Sequence, residues 1–579
     1  MEVTILTTTY LNKLKTIDTD KLSFLISDKL MDNATTDNIN IKGISIAYVL
    51  YQASIDNKVC IDSVKTFDDS FQKEPEIKEI VLNHISQVWD IVTSLRGICS
   101  ADELLSYILF NNEVSKYSFF MPTPSGVSKL ACSILDIENG DNVEDLCSGT
   151  SNFYIEALTQ HQNFKYTGIE INYICNDIAK IRASLLDEDV SLILCDALEY
   201  KAPEKANKIF SNYPFMAKSI VLNDHKEDLV KSLGIPKDAI KRASSDWVFN
   251  ATIVEQLAVG GKAVAIMTNA STWNTADKHI RQFFIENGYI ETIISLPSRL
   301  FNGTNIPSTL IVFSHNNDKV KLINASDICT KKHIYNILTD SNVTEIISLL
   351  GNDGEKSVTK SVSELSDNDY ILNPERYLET VPEVKNGVKF SSVIKSITRG
   401  LQIKASEFDK LKSEKASEYK YLTLSNIHDG LLSLNDNQYL TNIPDKMEKY
   451  IVKNNSIILS KTGSPVKSAV VEINNNEKLL ASGNLFIIEI DEKKANPYYI
   501  QAFFASDIGK ATFKSIVSGG LLPTFSIDSL KNMIVPLPPI DEQSKIASKY
   551  AALVDKSILL KRQLENTRLE MCHVFDEEE

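Results

Sequence analysis

Asn142-Val143-Glu144-Asp145-Leu146-Cys147-Ser148-Gly149-Thr150-Ser151-Asn152-Phe153 starts as a strand, turns through small residues and runs into a helix. Such a turn lets the backbone come close to a ligand. Working outward, a second acid, Glu170, closes the next strand candidate, with Ile171 after it, and a third closes the strand after that in Leu194-Cys195-Asp196-Ala197. Seven strand candidates follow one another: Asn142–Cys147, Tyr166–Ile171, Ser191–Leu198, Lys208–Ser211, Lys262–Thr268, Ile290–Leu296 and Thr309–Ser314. The first five alternate with helical stretches, which predicts a parallel, doubly wound α/β sheet. The last two are joined by an irregular PSRLFNGTNIPS segment and are expected to form an antiparallel pair closing it. Asp145, Glu170 and Asp196 then stand together at the carboxyl ends of adjacent strands, where open α/β sheets take their ligands. The acid about twenty residues after the turn is placed to hold ribose hydroxyls. G-x-G-x-x-G and G-x-x-x-x-G-K-[ST] are both absent, which argues against a nicotinamide site and a P-loop.

The chain has 579 residues, enough for several domains, and 43% hydrophobic with 24% charged residues is an ordinary globular composition. No apolar run approaches a membrane span, and the start MEVTILTTTYLNKLK lacks the layout of a secretory signal, so no membrane partner is expected and the cytoplasm is the default location. The eight cysteines form no C-x-x-C pair, and no metal site is implied. Residues 1–115 read as an N-terminal helical domain, 116–330 as the α/β domain, 331–385 as a connector, 386–540 as a second α/β unit and 541–579 as a long C-terminal helix. The net charge is −15, yet Val388 to Ile540 holds 19 Lys and Arg against 15 Asp and Glu, a local surplus that permits contact with a phosphate backbone. In the last helix Ile546, Tyr550, Leu553, Ser557, Leu560, Leu564, Thr567 and Met571 recur at spacings of four and three, the seam of a helix with a helical partner or with its own domain. Glu74-Pro75-Glu76-Ile77-Lys78, with Asp68 and Asp69 upstream, holds half of a nuclease-like pattern but reads as a charged helix start.

Ser211-Asn212-Tyr213-Pro214-Phe215, at the end of the fourth strand, resembles the N-P-P-[FY] motif of amino-group DNA methyltransferases. The turn at 145–153 resembles that family's D-P-x-x-G-[ST]-G-x-[FL] cofactor motif, and Phe120-Met121-Pro122-Thr123-Pro124 resembles its F-x-T-P motif with one extra residue. QLAVGGKAVA at 256–265, HIRQFFIENGYIETIISLP, RLFNGTNIPSTLIVFS and Asp369–Tyr377 resemble the modification subunit of type I restriction systems. The resemblance implies a Rossmann-like, seven-stranded S-adenosylmethionine methyltransferase domain. It also implies transfer of a methyl group from S-adenosylmethionine to the N6 amine of an adenine flipped out of double-stranded DNA. Carried over position by position, it assigns cofactor binding to Thr123, Pro124, Asp145, Leu146, Cys147, Ser148, Gly149, Thr150, Ser151, Phe153, Glu170, Ile171, Asp196, Ala197 and Asn212. Catalysis falls to Asn212, Tyr213, Pro214 and Phe215: the Asn212 side-chain carbonyl and the Tyr213 backbone carbonyl accept the amine hydrogens, and Phe215 stacks on the base.

Four positions depart from the family pattern: Tyr213 and Leu146 each replace a proline, Ser151 replaces a glycine, and Met121-Pro122 lengthens the spacing before Thr123. If position 151 needs a positive φ, serine there carries strain on the order of 1 kcal/mol. Phe390–Gly400, Tyr421–Gly430, Ile457–Gly463, Leu479–Phe486 and Met533–Gln543 resemble one target-recognition domain of a type I specificity subunit. Whole specificity subunits carry two such domains, so the resemblance implies half of one, completed by a homodimer through the C-terminal helix that reads a bipartite palindrome. A separate nuclease subunit, a non-catalytic DNA-binding role and methylation of cytosine N4 remain the alternatives.

Overall fold

The computed structural model describes residues 8–22, 100–110, 122–161, 163–186, 190–215, 217, 221–301, 304–333, 335–378, 384–428, 430–434, 438–441, 443–462, 466–473, 477–516 and 526–574. The Glu74–Lys78 stretch and the Phe120-Met121 pair lie outside them. The chain divides into two compact units, residues 1–374 and 375–579.

The first unit opens with helices α1 (Thr8–Lys15), α2 (Ala101–Phe110) and α3 (Ser125–Leu135). Then come β1 (Asn142–Leu146), α4 (Asn152–Leu158), β2 (Lys165–Glu170), α5 (Tyr173–Leu186), β3 (Ser191–Leu194) and β4 (Ala206–Ser211). Three helices follow, α6 (Val221–Leu233), α7 (Lys237–Arg242) and α8 (Ser245–Gln256), before β5 (Leu257–Thr268). α9 (Lys278–Glu286) leads to β6 (Ile290–Ser295), β7 (Ser308–Phe313) and β8 (Lys319–Asn324). A short ribbon, β9 (Thr330–Lys331) with β10 (Asn336–Ile337), precedes α10 (Asp340–Ser348), β11 (Ser357–Ser361) and α11 (Val362–Asp367).

All seven expected strands are present, but among the described residues the sheet holds nine, in the order β11-β8-β6-β7-β5-β4-β1-β2-β3. β1 to β5 are mutually parallel where they pair, as alternation with helices requires. The expected antiparallel pairing of β6 with β7 is present, but the pair does not close the sheet, which continues through β8 and β11. β6 runs with β5, and only β7 is reversed among the seven, inserted between β5 and β6. β8 continues parallel to β6, and β11 adds a reversed edge. The stretch read as a connector therefore supplies a sheet strand. Its helices α10 and α11 are started by capping boxes, Thr339 with Asn342 and Ser361 with Glu364, which a polar run conceals from hydrophobic periodicity.

Every residue of β7 is buried, the signature of a strand covered on both faces. On one face a core joins Leu11 and Leu14 of α1, Leu105 and Ile108 of α2, Leu130 of α3 and Phe153 of α4 to Val143, Phe210, Val264 and Leu310 of the sheet. The N-terminal helices α1 and α2 share this core, packed on one another and, through α2, on α4.

The second unit holds an antiparallel sheet of Ile394–Arg399, Leu485–Ile490, Ile457–Ser460 and Ser468–Val470, and a mixed one of Lys412–Ser413, Gln438–Leu440, Tyr419–Leu422 and Lys478–Ala481. Gly387–Lys389 pairs with Ile534–Pro536. The 34-residue helix Ile540–His573 follows. Its base is clamped by Gln543, whose Nε2 donates to the carbonyls of Pro538 (2.8 Å) and Lys494 (3.3 Å) while its Oε1 accepts from Asn496 N (3.0 Å). No helix among the described residues is long and apolar enough to cross a membrane.

Candidate active site

The turn after β1 is built from left-handed backbone. Cys147, Gly149 and Ser151 have φ of 75°, 56° and 60°. Glycine takes such angles without cost, whereas Cys147 and Ser151 hold them against their own Cβ atoms. Position 151 does need a positive φ, so its serine carries the strain anticipated from the sequence. Ser211 Oγ donates to the Leu146 carbonyl, tying the ends of β1 and β4 together.

Asp145 is buried in β1, with Oδ2 accepting from Tyr166 Oη at 2.9 Å and Oδ1 left without a partner. Burial, with Glu170 adding repulsion against the Tyr166 bond, pushes its carboxyl up to about 8. Glu170, at the end of β2, is also raised by burial, in spite of accepting from Gly149 N (2.8 Å) and Asn172 N (2.7 Å). The first of those bonds ties the acid to the small-residue turn. Asp196 lies beyond β3 and accepts from Leu198 N at 2.9 Å, with Ala197 buried beside it. Around these acids Ile171 (67% exposed) and Leu194 (54%) hold apolar side chains open to water at the ends of β2 and β3.

Asn212 follows β4 directly, and its Nδ2 donates to Thr123 Oγ1 at 2.9 Å. With the amide nitrogen committed to Thr123, the carbonyl Oδ1 is the end left for a substrate. The Thr123 carbonyl in turn accepts from Asn152 Nδ2 at 3.4 Å, so the residues before α3, the turn before α4 and the end of β4 meet in one cluster. Pro124 caps α3 in an extended conformation. The Tyr213 ring turns into the core and does not block the crevice: it is buried, stacks on Phe249 and bonds Asn250. Pro214 is exposed, and Phe215 is half-buried, edge-on to Phe301 with centroids 5.8 Å apart. Phe153 lies buried and stacked on Phe210, with ring centroids 4.2 Å apart.

Several contributors gave no signal in the sequence. Tyr166 supports Asp145 from two residues before Gly168 in β2. Arg182, buried on α5, donates to the Thr150 carbonyl (2.6 Å), Thr150 Oγ1 (3.2 Å), Asn152 Oδ1 (2.6 Å) and the Leu109 carbonyl of α2. Desolvation brings its guanidinium down to about 9. It fastens the turn to the N-terminal helices. An arginine among Ile178, Ile181 and Ala183 is the one hint the sequence offers.

The order β3-β2-β1-β4-β5-β7-β6 with only β7 reversed, the turn after β1, acids at the carboxyl ends of β1 to β3 and an asparagine after β4 define an α/β methyltransferase-like fold. Residues 104–386 match the N-6 DNA Methylase family model, and residues 389–569 match the type I restriction modification DNA specificity domain. The chain thus joins an N-6 DNA methylase domain to a type I specificity domain, the layout of a modification subunit fused to a specificity domain. One relative is the type I restriction enzyme HindI methylase subunit of Haemophilus influenzae, 22% identical over 318 residues that cover 50% of this chain and 71% of that protein. Another is the MjaIX methylase subunit of Methanocaldococcus jannaschii, 23% identical over 328 residues that cover 50% of this chain and 57% of that protein. The chain thus spans little more than half the length of the second. Among solved structures, a type I restriction-modification system methyltransferase subunit from Streptococcus thermophilus aligns over 64% of this chain and 87% of its own at 20% identity, with a TM-score of 0.48.

Proposed function

We propose that this chain methylates the N6 amine of adenines flipped out of double-stranded DNA, at sites chosen by its own recognition domain over residues 386–540. S-adenosylmethionine, when bound, supplies an electrophilic methyl group on a sulfonium. The residues present fit it. The orphaned Asp145 Oδ1 and Ser148 Oγ are buried polar atoms in want of a partner. Glu170 and Asp196 suit its hydroxyls, and exposed Ile171 suits its adenine face. Cys147, Gly149, Thr150 and Ser151 would carry the backbone past it.

The adenine amine is a poor nucleophile because its lone pair is delocalised into the ring. Asn212 Oδ1 and the Tyr213 carbonyl would accept its two hydrogens and keep the nitrogen density aimed at the methyl carbon. Pro214 holds the residue before it extended, and half-buried Phe215 would stack its ring on the base. Positioning and carbonyl hydrogen bonds supply the rate enhancement. The observation that carries this reading is the Asn212–Thr123 bond, which fixes the amide with its acceptor end available one strand away from Asp145.

Modified-base sequencing of DNA from a host expressing the chain is the test. N6-methyladenine at one recurring motif, absent with Asn212→Ala, is the expected result. Methylated cytosine, or unmodified DNA from the wild-type host, would overturn it.

The terminal helix supports a homodimer as the working assembly. Beyond Ala547 the leucines and the methionine of its seam stand in water: Leu553 is 58% exposed, Leu560 54% and Met571 71%. A second copy supplies the recognition domain that a half specificity subunit lacks.

A further inference from the structure

The family's motif has a proline where this chain has Tyr213. A proline at that position fixes its own φ at about −65°, and the next proline keeps the ψ of the residue before it extended. Pro214 preserves the second restraint, and Tyr213 gives up the first. The aim of the carbonyl at 213 depends on both angles, so one of its two restraints has to come from elsewhere.

The side chain offers it. The Tyr213 ring lies flat on Phe249, with centroids 4.9 Å apart and planes 10° from parallel. Its hydroxyl donates to Asn250 Oδ1 at 2.9 Å. Asn250 is fully buried on α8, and its Nδ2 points at Met267 Sδ of β5 at 3.6 Å. Packing alone would need only an apolar filler here. A buried asparagine is costly unless its carbonyl is used, and the phenol uses it. Stacking fixes the plane of the ring, and the hydrogen bond fixes its position along that plane.

We propose that the Tyr213 side chain, clamped between Phe249 and Asn250, is a positioning device that replaces the missing proline ring and aims the Tyr213 carbonyl at the substrate amine. The inference rests on the methyl-transfer reading of residues 212–215. Tyr213 becomes a residue with two tasks: its backbone touches the base, and its side chain sets the angle of that backbone.

Tyr213→Ala, Tyr213→Pro and Tyr213→Phe in the full chain provide the test, read as initial rates of labelled methyl transfer to unmethylated genomic DNA, KM for S-adenosylmethionine, and donor affinity by calorimetry. Alanine and proline vacate the same space and cost the fold alike, but only proline restores the φ restraint. Tyr213→Ala is expected to lower kcat on the order of 100-fold, as a misaimed catalytic group does, with KM and donor affinity unchanged. Tyr213→Pro is expected to regain roughly tenfold of that loss by restoring the aim. Tyr213→Phe keeps the stack while leaving the Asn250 carbonyl unpaired, and is expected to lose activity between the two. Proline no faster than alanine, or phenylalanine at the wild-type rate, would overturn the inference while an active wild type leaves the methyl-transfer reading standing. A wild type that binds donor and DNA yet transfers nothing would overturn both.

Discussion

At the scale of the residue, Asp145 sets a pH dependence. Its carboxyl, pushed up to about 8 by burial, keeps its proton at neutral pH when no cation is near. The methyl donor brings a positive sulfonium and a positive ammonium, and either one beside the orphaned Oδ1 favours the carboxylate. Donor affinity should therefore climb by up to about tenfold per pH unit from pH 6 toward 8 and then level off. Asp145→Asn should flatten the profile. Calorimetric titrations in buffers of different ionisation enthalpy should register uptake by buffer of about one proton per donor bound to the wild type. Affinity independent of pH in the wild type would remove Asp145 from this role. Without donor the shift works against the fold. The unfolded chain ionises this group near pH 4 while the folded one holds the proton, so its contribution to stability declines as pH rises from there to about 8. The acids at 145, 170 and 196 were legible because strand ends and spacing mark them. Tyr166, Arg182 and Asn250 were not, because their parts depend on contacts to residues between 21 and 73 positions away.

Among the elements, the contact of β2 with the turn after β1 is the sensitive one. Gly168 sits opposite Asp145 on one side and Leu192 on the other. A Cβ there would lie 3.0 Å from both Leu192 Cδ2 and Ser148 Oγ and 3.1 Å from Ser148 Cβ. Gly168→Ala is expected to push Ser148 off its place, cost about 1–3 kcal/mol of stability and weaken donor binding. Urea unfolding and donor titration measure the two effects, and unchanged values for both would show that the turn yields freely. Strand positions were readable from apolar runs of the length a buried strand needs, as Thr309–Ser314 illustrates against the observed Ser308–Phe313. Strand order was not, because nothing local in β7 says that it enters between β5 and β6. β11, with the sequence SVTKS, carries too little apolar character to announce itself.

For the whole molecule, the proposed homodimer rests on the C-terminal helix. Its half-exposed leucines are expected to pair two chains, and Leu553→Glu with Leu560→Glu to give monomers in sedimentation velocity, with DNA affinity reduced alongside. A wild type that sediments as a monomer both free and on DNA would end the dimer. The seam was visible in the sequence as an alternation of four and three, whereas the choice between a partner and its own domain was settled only as far as Gln543 and Ala547, the two buried residues of that helix. The sheet of the first unit has a different consequence, for biosynthesis. β7 completes the middle of the sheet, yet a ribosome delivers β5 and β6 before it. Until Phe313 has cleared the exit tunnel, the nascent chain holds two apolar strands whose facing edges have no filler. Translation slowed while Ser308–Phe313 is still inside the tunnel, or a fragment ending short of it, would leave that gap open to mispairing and aggregation.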